Sequence, residues 1–190
     1  KVDLGSKKVL QGYNYIFPFY GQDCAKVPAG KNKRWGKTCQ EFAQNRAEFL
    51  NMVRQAVAQG KKVALASYGD PTIYGPAIWT MQELKDLDAK VVPGISSFNA
   101  ANAALKSPLG EVILTSPFAD KKNTDAIESL AKHKGAVMVI FMPRDLKKLM
   151  PRLAKAYAPD TPMAVVSNAG QTGKEKVIAG TVGDIGPKLN

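Results

Sequence analysis

KVALASYGDPTIYGPAIWTMQEL, Lys62–Leu84, is the stretch whose reading decides the fold. KVALAS (Lys62–Ser67) is a short apolar run bounded by turn residues, and that pattern predicts a buried strand. Pro76 suits the first position of a helix, and Ile78, Met81 and Leu84 then share one helical face. Between strand and helix lies the turn Tyr68-Gly69-Asp70-Pro71. Gly69 removes a side chain where a ligand could touch the backbone, Pro71 stiffens the turn, and Asp70 brings one negative charge. Strand, turn and helix in this order form an α/β unit, whose ligands bind outside the carboxyl ends of the strands.

Outward from this stretch the alternation continues. Downstream, Lys90 to Val92 reads as a strand and is followed by VPGISS. There Gly94 allows close approach, while Ser96 and Ser97 offer hydroxyls and amides at a helix start. SSFNAANAALK is that helix, capped by serine. EVILT, AVMVIFM, MAVVS and KVIAGTV read as strands, and residues 124–134 and 145–157 as the helices among them. Upstream, Thr38 and Glu41 make a capping box, and Phe42, Phe49, Val53 and Val57 keep helical spacing as far as Gly60. The pattern predicts α/β layers with largely parallel sheets. KSPLG (Lys106–Gly110) holds Pro and Gly together at mid-chain, which divides the chain into domains 1–108 and 109–190.

The 190 residues, 45% of them hydrophobic, suffice for one large or two small domains with a real core. No apolar run is long enough to span a bilayer. The chain starts at Lys1 without Met, which leaves room for an upstream segment that has been removed. Lys and Arg number 27 against 16 Asp and Glu, a net charge of +11 that favours anionic partners. Nucleic acid is not expected, because the aromatics form no platform interleaved with basic residues and no nucleic-acid-binding signature occurs. A metal is not expected either, since Cys24, Cys39 and His133 are the only sulfur and imidazole ligands. The two cysteines flank the basic loop AKVPAGKNKRWGKT, and both a disulfide and two separate thiols fit the sequence. GQTGKE (Gly170–Glu175) is rejected as a phosphate loop: Asn168 stands where the first Gly belongs, and Glu175 where the hydroxyl belongs. His133, in AKHKG at a helix end, is better read as solvated than as part of a catalytic triad.

GDPTIYG, VVPGISSFNAANAAL, VILT, VMVIFM, DTPMAVVSNAG and KVIAGTVGDI, in that order, resemble the tetrapyrrole (corrin and porphyrin) methylases over about Val63 to Ile185. The resemblance implies two α/β domains, a cleft between them holding S-adenosylmethionine, and a homodimer in the cytoplasm. It implies cofactor contacts at Tyr68, Gly69, Asp70 and Ile73 in the first loop and at Ser96 and Ser97 in the second. Met142 in IFMP and Ala169 in SNAG, the latter on the adenine side, complete the set. The substrate implied is a tetrapyrrole, in particular a corrin precursor of cobalamin biosynthesis, whose rim carboxylates suit a basic protein. FNAANAALK and LAKHK are similar to the branch that methylates precorrin-4 at carbon 11, although that branch carries Arg where this chain has Ser116. The cofactor brings its own electrophile, so the protein's task is orientation, and no triad is needed. The family's Gly-x-Gly-Pro-Gly-Asp loop does not precede SYGDP, and the family continues beyond GTVGDI, so the expectation is either that both ends are shortened or that this is a divergent member with a damaged site. The basic insertion 26–37 reads as a solvated loop, with a substrate clamp as the alternative. A second function remains open: a noncatalytic, exported binder of tetrapyrrole or cofactor on the same fold. A relative acting on another substrate is a third.

Overall fold

The computed structural model describes residues 9, 18–30, 36–75, 77–117, 126–143 and 145–189. Its contacts divide the chain into two compact units, Lys1–Gly94 and Ile95–Asn190. The sequence placed the break at KSPLG instead. The helix after the VPGISS turn accounts for the difference, because it contacts the strand Pro162–Ser167 and so groups with the second unit.

The first unit is built on helix α1, Cys39–Ala58. Its start is the expected capping box: Thr38 Oγ1 accepts the Glu41 N–H at 3.2 Å, and Glu41 Oε2 accepts the Thr38 N–H at 2.6 Å. It ends at Gly60, whose φ of 71° lets the chain turn left-handed. The Gly60 N–H then reaches the Val57 carbonyl and the Lys61 N–H the Ala56 carbonyl, so the final carbonyls are satisfied. Phe49, Leu50 and Val53 pack with Leu84 into a core flanked by Tyr20, Trp79 and Leu87. Val57, expected on this face, is instead exposed, since the core ends a turn earlier. Helix α2, Ala77–Glu83, follows the signature turn. The proposed opening of that helix by Pro76 lies outside the described residues. Arg54 ties the two helices together: its guanidinium grips Asp86 at 2.8 and 2.9 Å and donates to the Glu83 carbonyl at 2.7 Å.

Neither KVALAS nor Lys90–Val92 is a strand. Val63, Leu65, Val91 and Val92 are exposed, and no ladder pairs these runs among the described residues. A strand requires a partner backbone as well as strand-forming side chains, and among the described residues none pairs with them.

The second unit supplies the described sheets. Helix α3 spans Ser97–Leu105. Strands β1 (Val112–Thr115) and β2 (Val137–Ile140) pair in parallel, Val112 opposite Val137 and Thr115 opposite Ile140. Helix α4, Ile127–Leu130, lies between them in sequence. It is shorter than the helix expected over 124–134, and His133 follows it in a turn. Helix α5, Leu146–Ala156, is capped by Asp145, which accepts the Lys148 N–H at 3.1 Å. Strands β3 (Pro162–Ser167) and β4 (Lys176–Thr181) form an antiparallel pair, Pro162 opposite Thr181 and Ser167 opposite Lys176. This corrects the expectation of largely parallel sheets. The connection 168–175 holds no helix to carry the chain back, so β4 returns beside β3 in the opposite sense.

Ile127, Leu149, Leu153 and Val182 form the core of this unit, with Met138, Ile140, Leu146, Met150, Tyr157 and Met163 around them. Arg152 reaches back from α5 to grip the Glu128 carboxylate at 2.6 and 2.7 Å. That guanidinium lowers the Glu128 pKa to about 2. The Lys134 ammonium closes α5 by donating to the Ala156 carbonyl at 2.8 Å while lying 4.7 Å over the Tyr157 ring.

Candidate functional site

In the first unit the signature turn is held by its own carboxylate. Asp70 Oδ1 accepts the Thr72 N–H at 2.7 Å and the Thr72 hydroxyl at 2.5 Å. The Thr72 hydroxyl, then its N–H, holds the Asp70 carboxyl below its ordinary pKa, and the Gly94 amide adds to the effect. Asp70 is therefore an anchor that ties the GDP turn to the VPG turn. Gly94 matters for the same reason. A Cβ built on it would run into the Gly69 carbonyl oxygen and lie 3.1 Å from the Gly69 carbonyl carbon. The close approach expected at Gly94 is thus made by the neighbouring turn. Gly69 itself has φ 71°, a value that favours glycine.

With its carboxylate engaged internally, this turn offers other groups outward. Tyr68 is completely exposed, at 101% of its reference area. Ile73 is half-buried, and its N–H bonds to the Asp70 carbonyl at 3.3 Å. Tyr74 adopts φ 50°, a left-handed conformation uncommon for an aromatic residue. Tyr68, Gly69, Asp70 and Ile73 are thus brought together in one fastened turn.

Ser96, Ser97, Met142 and Ala169 belong to the second unit, each at the end of a regular element. Ser96 is buried, and its hydroxyl accepts the Phe98 N–H at 3.3 Å to cap α3. Ser97, the first residue of α3, is exposed and is the serine free to face solvent. Met142 follows β2 with φ 51° and is 46% exposed, so it is not a core residue. A left-handed methionine costs conformational energy, and such outliers concentrate at ligand-binding turns. Ala169 follows β3 in the loop 168–175 and is half-buried. Its neighbour Gly170 rests against α3, where an added Cβ would lie 3.7 Å from the Ala100 Cβ. Thr115 and Ser116 are both buried at the carboxyl end of β1. The place where the similar branch carries Arg is thus a small hydroxyl.

Sequence reasoning missed two contributors. Thr72 lies inside the quoted motif, and its spacing two residues after Asp70 is the signal that it closes an Asx-type turn. Glu175 was noticed only as a defect in a phosphate loop, yet it accepts the Gly170 N–H at 2.8 Å. The cysteine question is also answered: Cys24 and Cys39 are joined in a disulfide, with Cα atoms 5.5 Å apart. The bond fastens the segment before the basic loop to the first residue of α1. Alongside it Tyr20 stacks on Trp79 at 5.2 Å, and Arg46 donates to the Pro18 carbonyl at 3.1 Å. Among the described residues no helix is long and apolar enough to cross a membrane.

The chain matches the family model described as Tetrapyrrole (Corrin/Porphyrin) Methylases over residues 13–186. It is 32% identical over 169 residues to a cobalt-precorrin-4 C(11)-methyltransferase of Methanocaldococcus jannaschii, covering 83% of this chain and 65% of that protein. It is 28% identical over 173 residues to an S-adenosyl-L-methionine-dependent uroporphyrinogen III methyltransferase of Methanosarcina barkeri, covering 84% of this chain and 67% of the relative. A solved cobalamin biosynthetic enzyme, cobalt precorrin-4 methyltransferase, matches with a TM-score of 0.61 at 28% identity, over 75% of this chain and 64% of that one. The chain therefore spans about two thirds of the length of these relatives. The likeness bears out the α/β fold class and the resemblance seen in the motifs.

Proposed function

The chain belongs to the tetrapyrrole (corrin/porphyrin) methylases, and from that premise we propose that it serves S-adenosylmethionine-dependent C-methylation of a tetrapyrrole, specifically a corrin precursor at the precorrin-4 stage. The observation that carries this reading is the fastening of Gly69 and Asp70 to Gly94 within the first unit, which pre-folds the first turn expected to meet the cofactor. The names of the relatives support it, two of them as precorrin-4 methyltransferases and one as S-adenosylmethionine-dependent.

The residues suit the cofactor. An adenosyl-sulfonium ligand needs an apolar wall, backbone acceptors and donors, and no strong nucleophile. The first unit carries groups of this kind in exposed Tyr68 and the Gly69 backbone, and the second carries them in exposed Met142, the Ala169 backbone and the Ser97 hydroxyl. Ile73 completes the first loop, and Ser96 holds Ser97 in place by capping α3. When bound, the cofactor supplies the electrophilic methyl. The chain's contribution is orientation: turns that are already folded lose little entropy on binding and hold the acceptor carbon in line. The net charge of +11 suits a substrate rimmed with carboxylates. A homodimer in the cytoplasm, where the cofactor is made, completes the reading.

Calorimetric titration with S-adenosylhomocysteine tests it. Binding to the unaltered protein and about tenfold weaker binding to Asp70→Ala are expected, because the variant releases Thr72 and Gly94 together. An unchanged affinity in Asp70→Ala would remove the site from this turn. The disulfide favours a second reading, since such bonds persist in oxidising compartments: an exported, noncatalytic binder on the same fold. Fractionation of cells with thiol trapping separates the two, as a cytoplasmic protein with free Cys24 and Cys39 eliminates the exported form.

A further inference from the structure

GQTGKE makes a poor phosphate loop and a well-closed turn. In the connection 168–175, the Gln171 N–H bonds to the Asn168 carbonyl at 2.9 Å. The Lys174 and Glu175 N–H groups both bond to the Gln171 carbonyl at 3.0 Å. Asn168 takes φ 52°, and its side-chain amide donates to the Lys174 carbonyl at 3.3 Å. One lock comes from a carboxylate: Glu175 Oε2 accepts the Gly170 N–H at 2.8 Å. That N–H belongs to the peptide group joining Ala169 to Gly170. The peptide is planar and trans, so fixing its N–H also fixes the direction of the Ala169 carbonyl, which points the opposite way.

We propose that Glu175 is a positioning residue: by holding the Gly170 N–H it aims the Ala169 carbonyl as an acceptor for the exocyclic amino group of adenine. The proposal rests on the cofactor reading above, in which Ala169 lies on the adenine side. It explains why this loop has an acidic residue at its exit on a chain with an excess of lysine and arginine. A carboxylate accepts a main-chain N–H more strongly than a neutral group does. Glu175 is exposed and outside both cores, so its removal should leave the fold intact.

The test compares S-adenosylhomocysteine with S-inosylhomocysteine, whose base carries an oxo group in place of the amino group, by calorimetry on the intact protein. Glu175→Ala should bind the adenosyl compound about five- to tenfold more weakly and the inosyl compound unchanged, narrowing the preference between them. Glu175→Gln keeps an oxygen at the same reach and should stay within about twofold of the unaltered protein. Hydrogen exchange at the Gly170 amide should accelerate in Glu175→Ala alone. If the unaltered protein binds and Glu175→Ala binds equally well, the proposal is overturned while the cofactor reading stands. Equal loss for both nucleosides, or equal loss in both variants, also overturns it, since Glu175 would then only stabilise the loop. No binding by the unaltered protein overturns the cofactor reading, and the proposal with it.

Discussion

Val112–Thr115 and Lys62–Ser67 are two short apolar runs, each bounded by turn residues, but they meet different fates in the fold. The first pairs in parallel with Val137–Ile140, and its last residue, Thr115, is buried. The second has no ladder among the described residues, and its Val63 and Leu65 are exposed. Composition does not separate them. What differs is the partner: β1 has β2 alongside, with Ile127, Leu149 and Leu153 packed into the adjoining core, whereas the first unit holds itself together through α1 and α2. Strand identity is a property of a pair of segments, and apolar side chains alone make only a candidate.

The comparison predicts a graded response to substitution. Leu153→Ala, in the core of the second unit, should cost about 2–5 kcal/mol, because it leaves a cavity among Ile127, Leu149 and Val182. Val92→Ser, in an exposed run of the first unit, should change stability by no more than about 0.5 kcal/mol. Denaturant unfolding measures both, and similar losses would mean that the two substituted positions are equally packed. Cys24→Ser removes the cross-link across a sequence separation of 15 and should cost about 3 kcal/mol under non-reducing conditions. The same loss should follow from adding reductant to the unaltered protein, and no effect of either would show that α1 does not depend on the bond.

Gly94→Ala is sharper than either, because it targets the contact between the two turns rather than a core. The new Cβ meets backbone at Gly69, which cannot rotate away as a side chain would. A loss of about 1–3 kcal/mol, accompanied by weaker binding of S-adenosylhomocysteine, is expected from overpacking. Smaller than the core, disulfide and glycine effects is that of the Glu128–Arg152 pair, which is partly exposed, with side chains at 41% and 30% of their reference areas. Arg152→Ala should cost about 1 kcal/mol at neutral pH. The folded pKa of Glu128 lies below its ordinary value of 4.5, so this contribution is complete above that value and fades as pH falls toward 2. Acid titration of the two proteins should therefore converge in that window. A gap that persists at low pH would mean that Arg152 acts through packing.

Much of the first loop was legible because its physics is local. Gly69 and Asp70 lie side by side in one turn, and the Asp70 bonds to Thr72 that the sequence reading overlooked are equally local, two residues away. The capping box at Thr38 and Glu41 and the serine cap of α3 were legible for the same reason. Glu175 was hidden because its partner, Gly170, becomes a neighbour only once the connection between β3 and β4 closes. Gly94 was half-legible: the sequence showed that something approaches it closely, and the fold showed that the visitor is the Gly69 carbonyl.

By itself, the sequence determined the family, the α/β class, the helices α1 and α3 with their caps, and which turns hold glycine and carboxylate. All of these depend on local sterics, hydrogen-bond reach over a few residues, and the order of motifs along the chain. Tertiary structure alone decided that Lys62–Ser67 has no ladder among the described residues, that β3 and β4 run antiparallel, that Cys24 joins Cys39, and that Asp70 also reaches Gly94. Each of these joins groups that are distant in sequence or competes for one partner among several. Such choices are made when the chain closes on itself, because only then does a backbone group acquire the neighbour that satisfies it.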